Sequence, residues 1–572
     1  MAHAQIKSFV ILSLGLLFFL VLWLYIHDDW KGAKPLPRPL QRQPRNQSYR
    51  IAINTQTLRS PEASPAPAMN DPGLGAEEWD RIQRTLHWGG PDHQVTTATM
   101  STSPDISTFI INDFKDTYHV GDELHVTIVA KDFTGAPKRY GGDFFQAKVY
   151  SDKLKASVFG EVLDHQNGTY LARFTLPWAG EASVAVRMIH SSEAVLVLKQ
   201  HQNTDPDRIY FYGFFVGKNP QGARVVESVE CNVKWDGLVL STQRNCCCEY
   251  QDARTRLTWQ CRKPRSLPCD ALVDHSAGGY RNRMTAPEKA VMNSKYVDRW
   301  LKGDARLLRV NPSIATIVSA SNATIGVTVR EACKPGLPTP LPAGFYLMDV
   351  WTSFVCGARH FTAIDTAKCL KDKHIYIMGD STSRQWFDFL IQTVPTLKRM
   401  NLHTSAQAGP LLAVDTQNNI DLHWRSHGLP LRTTKTSMSA LHYVSNEIDD
   451  MVGGPHAVIV FNMWAHFTNY PLTFFAYNVF LIRRAVVALL RRAPGTKVVI
   501  KTANTGYKDI FGSDWFSMQL DRILREAFRD VEVYILDVWQ MTACHYSRDN
   551  IHPPPVVIKN EIDILLSFMC PQ

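Results

Sequence analysis

The chain has 572 residues, 45% of them hydrophobic and 20% charged, a balance that supports a folded protein of roughly four domains at ~150 residues each. Its 62 Lys and Arg against 53 Asp and Glu leave a net charge of +9. Of this, +5 sits between His27 and Ser60, so neither half carries the basic stripe that nucleic-acid binding requires, and nucleic acid is excluded as a partner.

In chain order, the first element is Phe9 to Ile26, eighteen residues without a charge. At ~1.5 Å per residue they span about 27 Å, enough for a thin bilayer. The exit, WLYIHDDWKGAK, has no small residues in register for cleavage, so an uncleaved type II signal-anchor over residues 1–30 is expected. Lys31 and Lys34, on the distal side, run against the positive-inside count. Residues 31–95, rich in Pro, Ser, Ala, Gln and Arg, read as a flexible stem with one short helix at Glu77 to Leu86.

Short β-rich runs follow at Leu124–Ala130, Phe144–Tyr150, Gly168–Leu176, Ala182–Ile189 and Ala194–Leu198, separated by turn signals. They predict an antiparallel β-sandwich, Ig-like in pattern, which with the cysteine-rich segment spans 96–275. That segment holds Cys231, Cys246, Cys247, Cys248, Cys261 and Cys269. All eleven cysteines lie after residue 230 and no two have C-x-x-C spacing, so disulfides are expected rather than zinc, with at least one thiol left over. No metal is expected, since the cysteines lack paired-ligand spacing. Asn46, Asn167 and Asn322 begin glycosylation sequons, which point the bulk of the chain to a lumen.

Residues 276–343 read as a connecting region with a helix over Pro287–Lys302, and a boundary is expected near Gly344. From 344 to 572, strands alternate with amphipathic helices. The strands are His374–Met378, Ala457–Phe461, Lys497–Lys501 and Val531–Leu536; the helices include Phe480–Arg492 and faces built on Phe387/Leu390/Ile391/Val394 and Phe516/Leu520/Ile523/Leu524/Ala527. This alternation predicts a doubly wound parallel α/β sheet.

In such a sheet, ligands bind in the loops beyond the strands' carboxyl ends. Gly379-Asp380-Ser381 occupies the first of these loops and would place Ser381 at a helix amino terminus, where its N–H can receive an oxyanion. The bland reading of the same tripeptide is a helix cap. Asp549-Asn550-Ile551-His552 follows the last strand, so His552 can serve as base with Asp549 fixing its tautomer. Asn462, at the end of the second strand, is a candidate oxyanion donor or a turn residue; Gly428 is a weaker one. His466 and His545 are candidate pocket residues. The sandwich holds no nucleophile paired with a base, so it is expected to be dispensable for chemistry.

With these motifs in hand, the chain resembles the neurexophilin and PC-esterase domain family. The amino-terminal half is similar to neurexophilins through APKRYGGDFFQAKVYS, DHQNGTYLARFTLPWAG and the segment from ECNV to LPC. The carboxyl half resembles PC-esterase domains of the SGNH hydrolase superfamily through IYIMGDSTSRQWFDFL, LHYVSNEI, KTAN, SDWF and the closing IHP. The resemblance implies a site of Ser381, His552 and Asp549, with Asp537 as the spare acid. It implies carbohydrate O-acetyl transfer in the Golgi lumen, with sialic acid as one acceptor class and acetyl-CoA as one candidate acetyl donor. A single span cannot carry acetyl-CoA across a bilayer, so another protein or a lumenal pool would deliver the acetyl group. No bound cofactor is expected. The alternatives are hydrolysis of the same esters, or a secreted, non-enzymatic ligand that binds a receptor through the neurexophilin-like region.

Overall fold

The computed structural model describes residues 75–91, 97–204, 209–219, 221–235, 240–241, 243, 245–313, 331–547 and 549–571. The expected anchor at 9–26, most of the stem, and the sequons at Asn46 and Asn322 lie outside these residues.

The sheet-rich amino-terminal region is one hydrogen-bonded network of twelve strands. Strand Ala156–Asp164 passes between its two parts. Ala156–Gly160 pairs with Phe144–Ser151, and Glu161–Asp164 pairs with Thr169–Thr175. Val126, Ile128 and Phe174 from one part meet Val149, Val158 and Val186 from the other in a single core. The alternation of buried and exposed residues along Glu123–Val129 is what a half-buried antiparallel strand needs. Asn167 lies on the exposed turn before Thr169–Thr175, its side-chain oxygen accepting from Thr169 N at 2.9 Å and Oγ1 at 2.7 Å.

Several expectations are corrected here. Ala194–Leu198, read as a strand, lies within the helix Ser192–Thr204. Asp143 accepts from the Ser192 N–H at 2.7 Å at the helix start, and a short apolar run has no periodicity to tell strand from buried helix. The helix expected over Pro287–Lys302 is confined to Ala286–Val291. Within the stem, Ala76–Leu86 is a helix docked on the folded body. Its Ile82 is fully buried, and Arg81 pairs with Glu526 at 2.9 Å. Gly344–Leu347 pairs with Ala156–Asp164, so no break in packing falls at residue 344.

The cysteine-rich segment forms part of a second, six-stranded sheet, which includes Ile209–Lys218, Arg224–Lys234, Thr258–Arg262 and Leu272–Tyr280. Bridges Cys231–Cys261, Cys246–Cys247 and Cys248–Cys269 keep the cluster's six cysteines paired among themselves. Cys333–Cys356 and Cys369–Cys570 complete five bridges, leaving Cys544 free and buried.

The carboxyl-terminal region is mixed α/β around a seven-stranded sheet in the order Lys398–Met400, Leu411–Asp415, Ile420–Arg425, His374–Met378, Ala457–Phe461, Lys497–Lys501, Tyr534–Leu536. The last five of these are mutually parallel. Helices cover both faces. Leu472–Arg492 and Asp514–Ala527 pack over Ile459, Phe461 and Ile500, while Ser381–Thr393 and Pro555–Met569 pack over Ile377, Val460 and Val499. Leu472–Arg492 is long and apolar enough to cross a membrane, but it carries the buried residues of a core helix. Strand order reverses at His374–Met378, whose neighbours are the second and third parallel strands of the chain. This is the topological switch point where open sheets bind ligands.

Replacing Cys261 by Ser cuts the tie between strands Arg224–Lys234 and Thr258–Arg262. The expected loss is ~2–5 kcal/mol, measured as a lower unfolding temperature and a reduced exported yield. Alkylation of the denatured but unreduced parent should find one thiol, Cys544.

Candidate active site

The strand His374–Met378 ends in a tight turn at Gly379, and Asp380 caps the helix Ser381–Thr393 by accepting from Thr382 N at 2.9 Å. The turn depends on glycine because a Cβ at Gly379 would lie 1.6 Å from Asn462 Oδ1. Ser381 is thereby held at the carboxyl edge of the sheet as the first helical residue. Its N–H has no acceptor among the described residues, as expected for the exposed start of a helix.

The structure places Ser381 Oγ 2.8 Å from His552 Nε2, across 171 residues of sequence. Three contacts hold the histidine loop. Asn504 Nδ2 donates to Ile551 O at 2.8 Å, Gln385 Nε2 donates to Pro553 O at 3.3 Å, and His552 N donates to Asn550 Oδ1 at 3.0 Å. Gly506, at φ +139°, permits the closest approach, since a Cβ there would lie 2.2 Å from Ile551 N. Partial burial holds the imidazole below its ordinary pKa of 6.5. Asp380 opposes this, while Arg384 and Lys501 push in the same direction as burial. At neutral pH the ring is uncharged and Nε2 can accept the serine proton.

Asp549 does not orient this ring. Its carboxylate accepts from Arg187 Nη1 at 2.9 Å and Nη2 at 3.1 Å, and from Lys508 Nζ at 3.0 Å. Burial alone would raise its pKa, but Lys508 and Arg187 outweigh burial and keep the group ionised. Asp537 is also committed elsewhere, paired with Arg525 at 2.9 Å and capping the Val538–Cys544 helix. Among the described residues no carboxylate bonds the His552 ring, and the arrangement is a Ser–His dyad with Asp380 at electrostatic range.

Asn462 is likewise corrected. Fully buried, it spends its amide on the serine turn. Nδ2 donates to Asp380 Oδ1 and Thr382 Oγ1, both at 2.9 Å, and Oδ1 accepts from Asp380 N at 3.1 Å. It braces the Ser381 turn and has no hydrogen left for an oxyanion. Gly428, at φ +82°, lies where a Cβ would come within 2.7 Å of the His442 carbonyl, which gives the glycine a turn role. His466 Nδ1 lies 2.9 Å from His427 Nε2, both rings being largely desolvated and pushed down to about 4 and about 3. His545 packs edge-on against Tyr346, and its carbonyl accepts from Lys148 Nζ at 2.8 Å.

The sheet-rich amino-terminal region is therefore not separate from the site, since Lys148 and Arg187 both reach from it to the segment that leads to His552. His190 Nε2, from the same strand as Arg187, lies 2.7 Å from Ser513 Oγ. These residues, with Gln385, Lys501 and Lys508, were missed by sequence reasoning. Lys148 and Gln385 lie within the quoted APKRYGGDFFQAKVYS and IYIMGDSTSRQWFDFL stretches, Lys501 opens KTAN and Ser513 opens SDWF, whereas Arg187, His190 and Lys508 fall in none of the motifs.

Asn462→Ala should lower stability by about 1–3 kcal/mol as well as activity, because it strands buried partners on the serine turn. A donor aimed only at substrate would cost activity alone, so calorimetry beside a rate assay checks the assignment. The acid limb of any rate profile should lie below pH 6.5: a depressed histidine pKa keeps the base neutral further into acid, and activity falls as pH drops through that value.

Residues 94–296 match the Neurexophilin family model, and residues 351–570 match the model described as NXPE family member 4-like, C-terminal domain. Among solved structures, the Escherichia coli adhesin FdeC aligns at 13% identity over 37% of this chain, with a TM-score of 0.13. The chain spans 65% of that adhesin's length, slightly under two thirds. The Yersinia pseudotuberculosis adhesin InvE aligns at 13% identity over 57% of this chain and 94% of its own, also with a TM-score of 0.13. Overlaps this loose carry no structural argument. The two family models together cover about three quarters of the sequence, and the chain belongs to the neurexophilin/NXPE family, a membership that points to a secreted or lumenal protein.

Proposed function

We propose that the protein is a serine-dependent acyltransferase that moves acetyl groups onto glycans in the secretory-pathway lumen. The observation that carries this reading is the 2.8 Å contact between Ser381 Oγ and His552 Nε2 at the switch point of the parallel sheet. Ser381 Oγ attacks the acetyl carbonyl of the donor while His552 Nε2 takes the hydroxyl proton. The tetrahedral oxyanion is received at the helix start by the Ser381 N–H. As the bond to the leaving group breaks, His552 returns its proton to that group and an acetyl-serine remains. A sugar hydroxyl then attacks the ester, its proton passing to His552 and on to Ser381 Oγ.

Sialic acid is one acceptor class of this reading, and acetyl-CoA is the ultimate donor, its acetyl group relayed by another protein or a lumenal pool. The SGNH-type fold, the Ig-like character of the sandwich and a Golgi type II anchor over residues 9–26 belong to the same proposal. Esterase action on the same products differs only in admitting water as acceptor. The Neurexophilin match over 94–296 supports a second role, with the sheet-rich region binding a receptor.

The test is labelling of the full chain with a serine-directed fluorophosphonate, followed by acetyl transfer to candidate sugars. Ser381→Ala should abolish both signals and His552→Ala should cut both to a slow residual rate, in each case without unfolding the protein, and the double variant should be no worse than Ser381→Ala, because the two act as one unit. Parent-rate transfer by Ser381→Ala would overturn the enzyme reading in favour of the receptor ligand.

A further inference from the structure

Arg187 lies on strand Gly180–His190 of the amino-terminal sheet and is only 6% exposed. Its guanidinium donates to Asp549 through two nitrogens at 2.9 and 3.1 Å and to Gln146 Oε1 at 2.6 Å, and it forms an ion pair with Asp298 at 3.2 Å. Asp298 and Gln146 belong to the amino-terminal side of the chain, whereas Asp549 stands three residues before His552. A planar, bidentate guanidinium pair fixes direction as well as distance, which a single ammonium contact does not.

The rest of the path is short. From Asp549 the chain runs through Asn550, whose side chain accepts from His552 N, to Ile551, whose carbonyl is held by Asn504. Lys508 also donates to Asp549, at the Oδ2 it shares with Arg187 Nη2, and pairs with buried Asp514. Asp514 in turn accepts from the Gly506 and Tyr507 N–H groups at 2.8 and 3.0 Å, and so holds the loop against which Ile551 is pressed. His552 itself has no carboxylate partner among the described residues, so its ring position depends on this backbone anchoring.

Resting on the serine reading above, we infer that Arg187 is a positioning residue for the general base. Through its ion pair with Asp549 it sets where His552 stands relative to Ser381. The neurexophilin-like sheet is on this account an integral part of the catalytic unit, and a partner bound to that sheet has a physical route to the rate of the reaction.

The experiment measures the rate of Ser381 phosphonylation in the full chain, with the unfolding temperature followed in parallel. Arg187→Gln should slow labelling by about tenfold to a hundredfold at temperatures where the protein remains folded, the scale of a base displaced by about an ångström. Asp549→Asn, which breaks the pair from its other end with little change of shape, should do the same and keeps the test valid if the Arg187 variant folds poorly. Arg187→Lys should recover part of the rate. In a His552→Ala background, Arg187→Gln should add less than about twofold, because the base it positions is gone. Parent-rate labelling by folded Arg187→Gln or Asp549→Asn would overturn the inference, as would an undiminished Arg187→Gln effect in the His552→Ala background. Parent-rate labelling by His552→Ala alone would instead overturn the serine reading, and this inference with it.

Discussion

The active edge of the sheet depends on one buried carboxylate. Asp380 is almost wholly removed from water, and a bare charge there would be strongly disfavoured. Burial acts to raise its pKa, and the surroundings reverse the sign. His466 and Lys501 bias the field, and Thr382 and Asn462 donate hydrogen bonds, so the group is held below the usual carboxylate range. Satisfying Asp380 demands a particular backbone. The Thr382 and Ala465 N–H groups must point inward, Asn462 must cross from the next strand, and Gly379 must leave room for it. The exposed serine hydroxyl is one consequence of that solved packing problem.

A second ionic centre does for the histidine what Asp380 does for the serine. Asp549 is held between Arg187 and Lys508, and so couples the final loop to two different parts of the chain at once. Buried pairs of this kind contribute little net stability, since desolvation offsets much of the attraction, but they specify geometry. The 76–86 helix on Asp514–Ala527 and the strand pairing of Gly344–Leu347 with Ala156–Asp164 spread the same integration over the body, and the described residues form one compact unit. The cysteine-rich sheet takes part as well, since Thr436–Ser437 from the carboxyl half forms its edge strand.

Much of this was legible in the sequence where a local pattern has a single structural solution. The strand at His374–Met378 followed by a helix-period face, the glycine before Asp380-Ser381, and the absence of C-x-x-C spacing each had one dominant physical reading, and the described residues agree with each. Ala194–Leu198 failed because a five-residue apolar run suits either a strand or a buried helix, and the deciding contact, Asp143 at the Ser192 N–H, comes from 49 residues away. The role given to Asn462 failed for a related reason. A side-chain amide at a strand end can serve an oxyanion or a neighbouring turn, and only the position of Asp380 decides between them.

By itself, the sequence determined the strands His374–Met378, Ala457–Phe461 and Lys497–Lys501 with the helices that follow them, the pairing of its cysteines in place of a zinc site, and the presence of a serine and a histidine at opposite ends of an α/β region. These follow from periodicity, spacing and composition, which are properties of neighbouring residues. The tertiary structure alone decided that Asp549 faces Arg187 and Lys508 instead of His552, and that the amino-terminal sheet reaches the loop that carries His552. Those outcomes depend on which charges meet across 362 residues of chain, where a carboxylate three positions from a histidine goes to whichever cations the packing brings nearest.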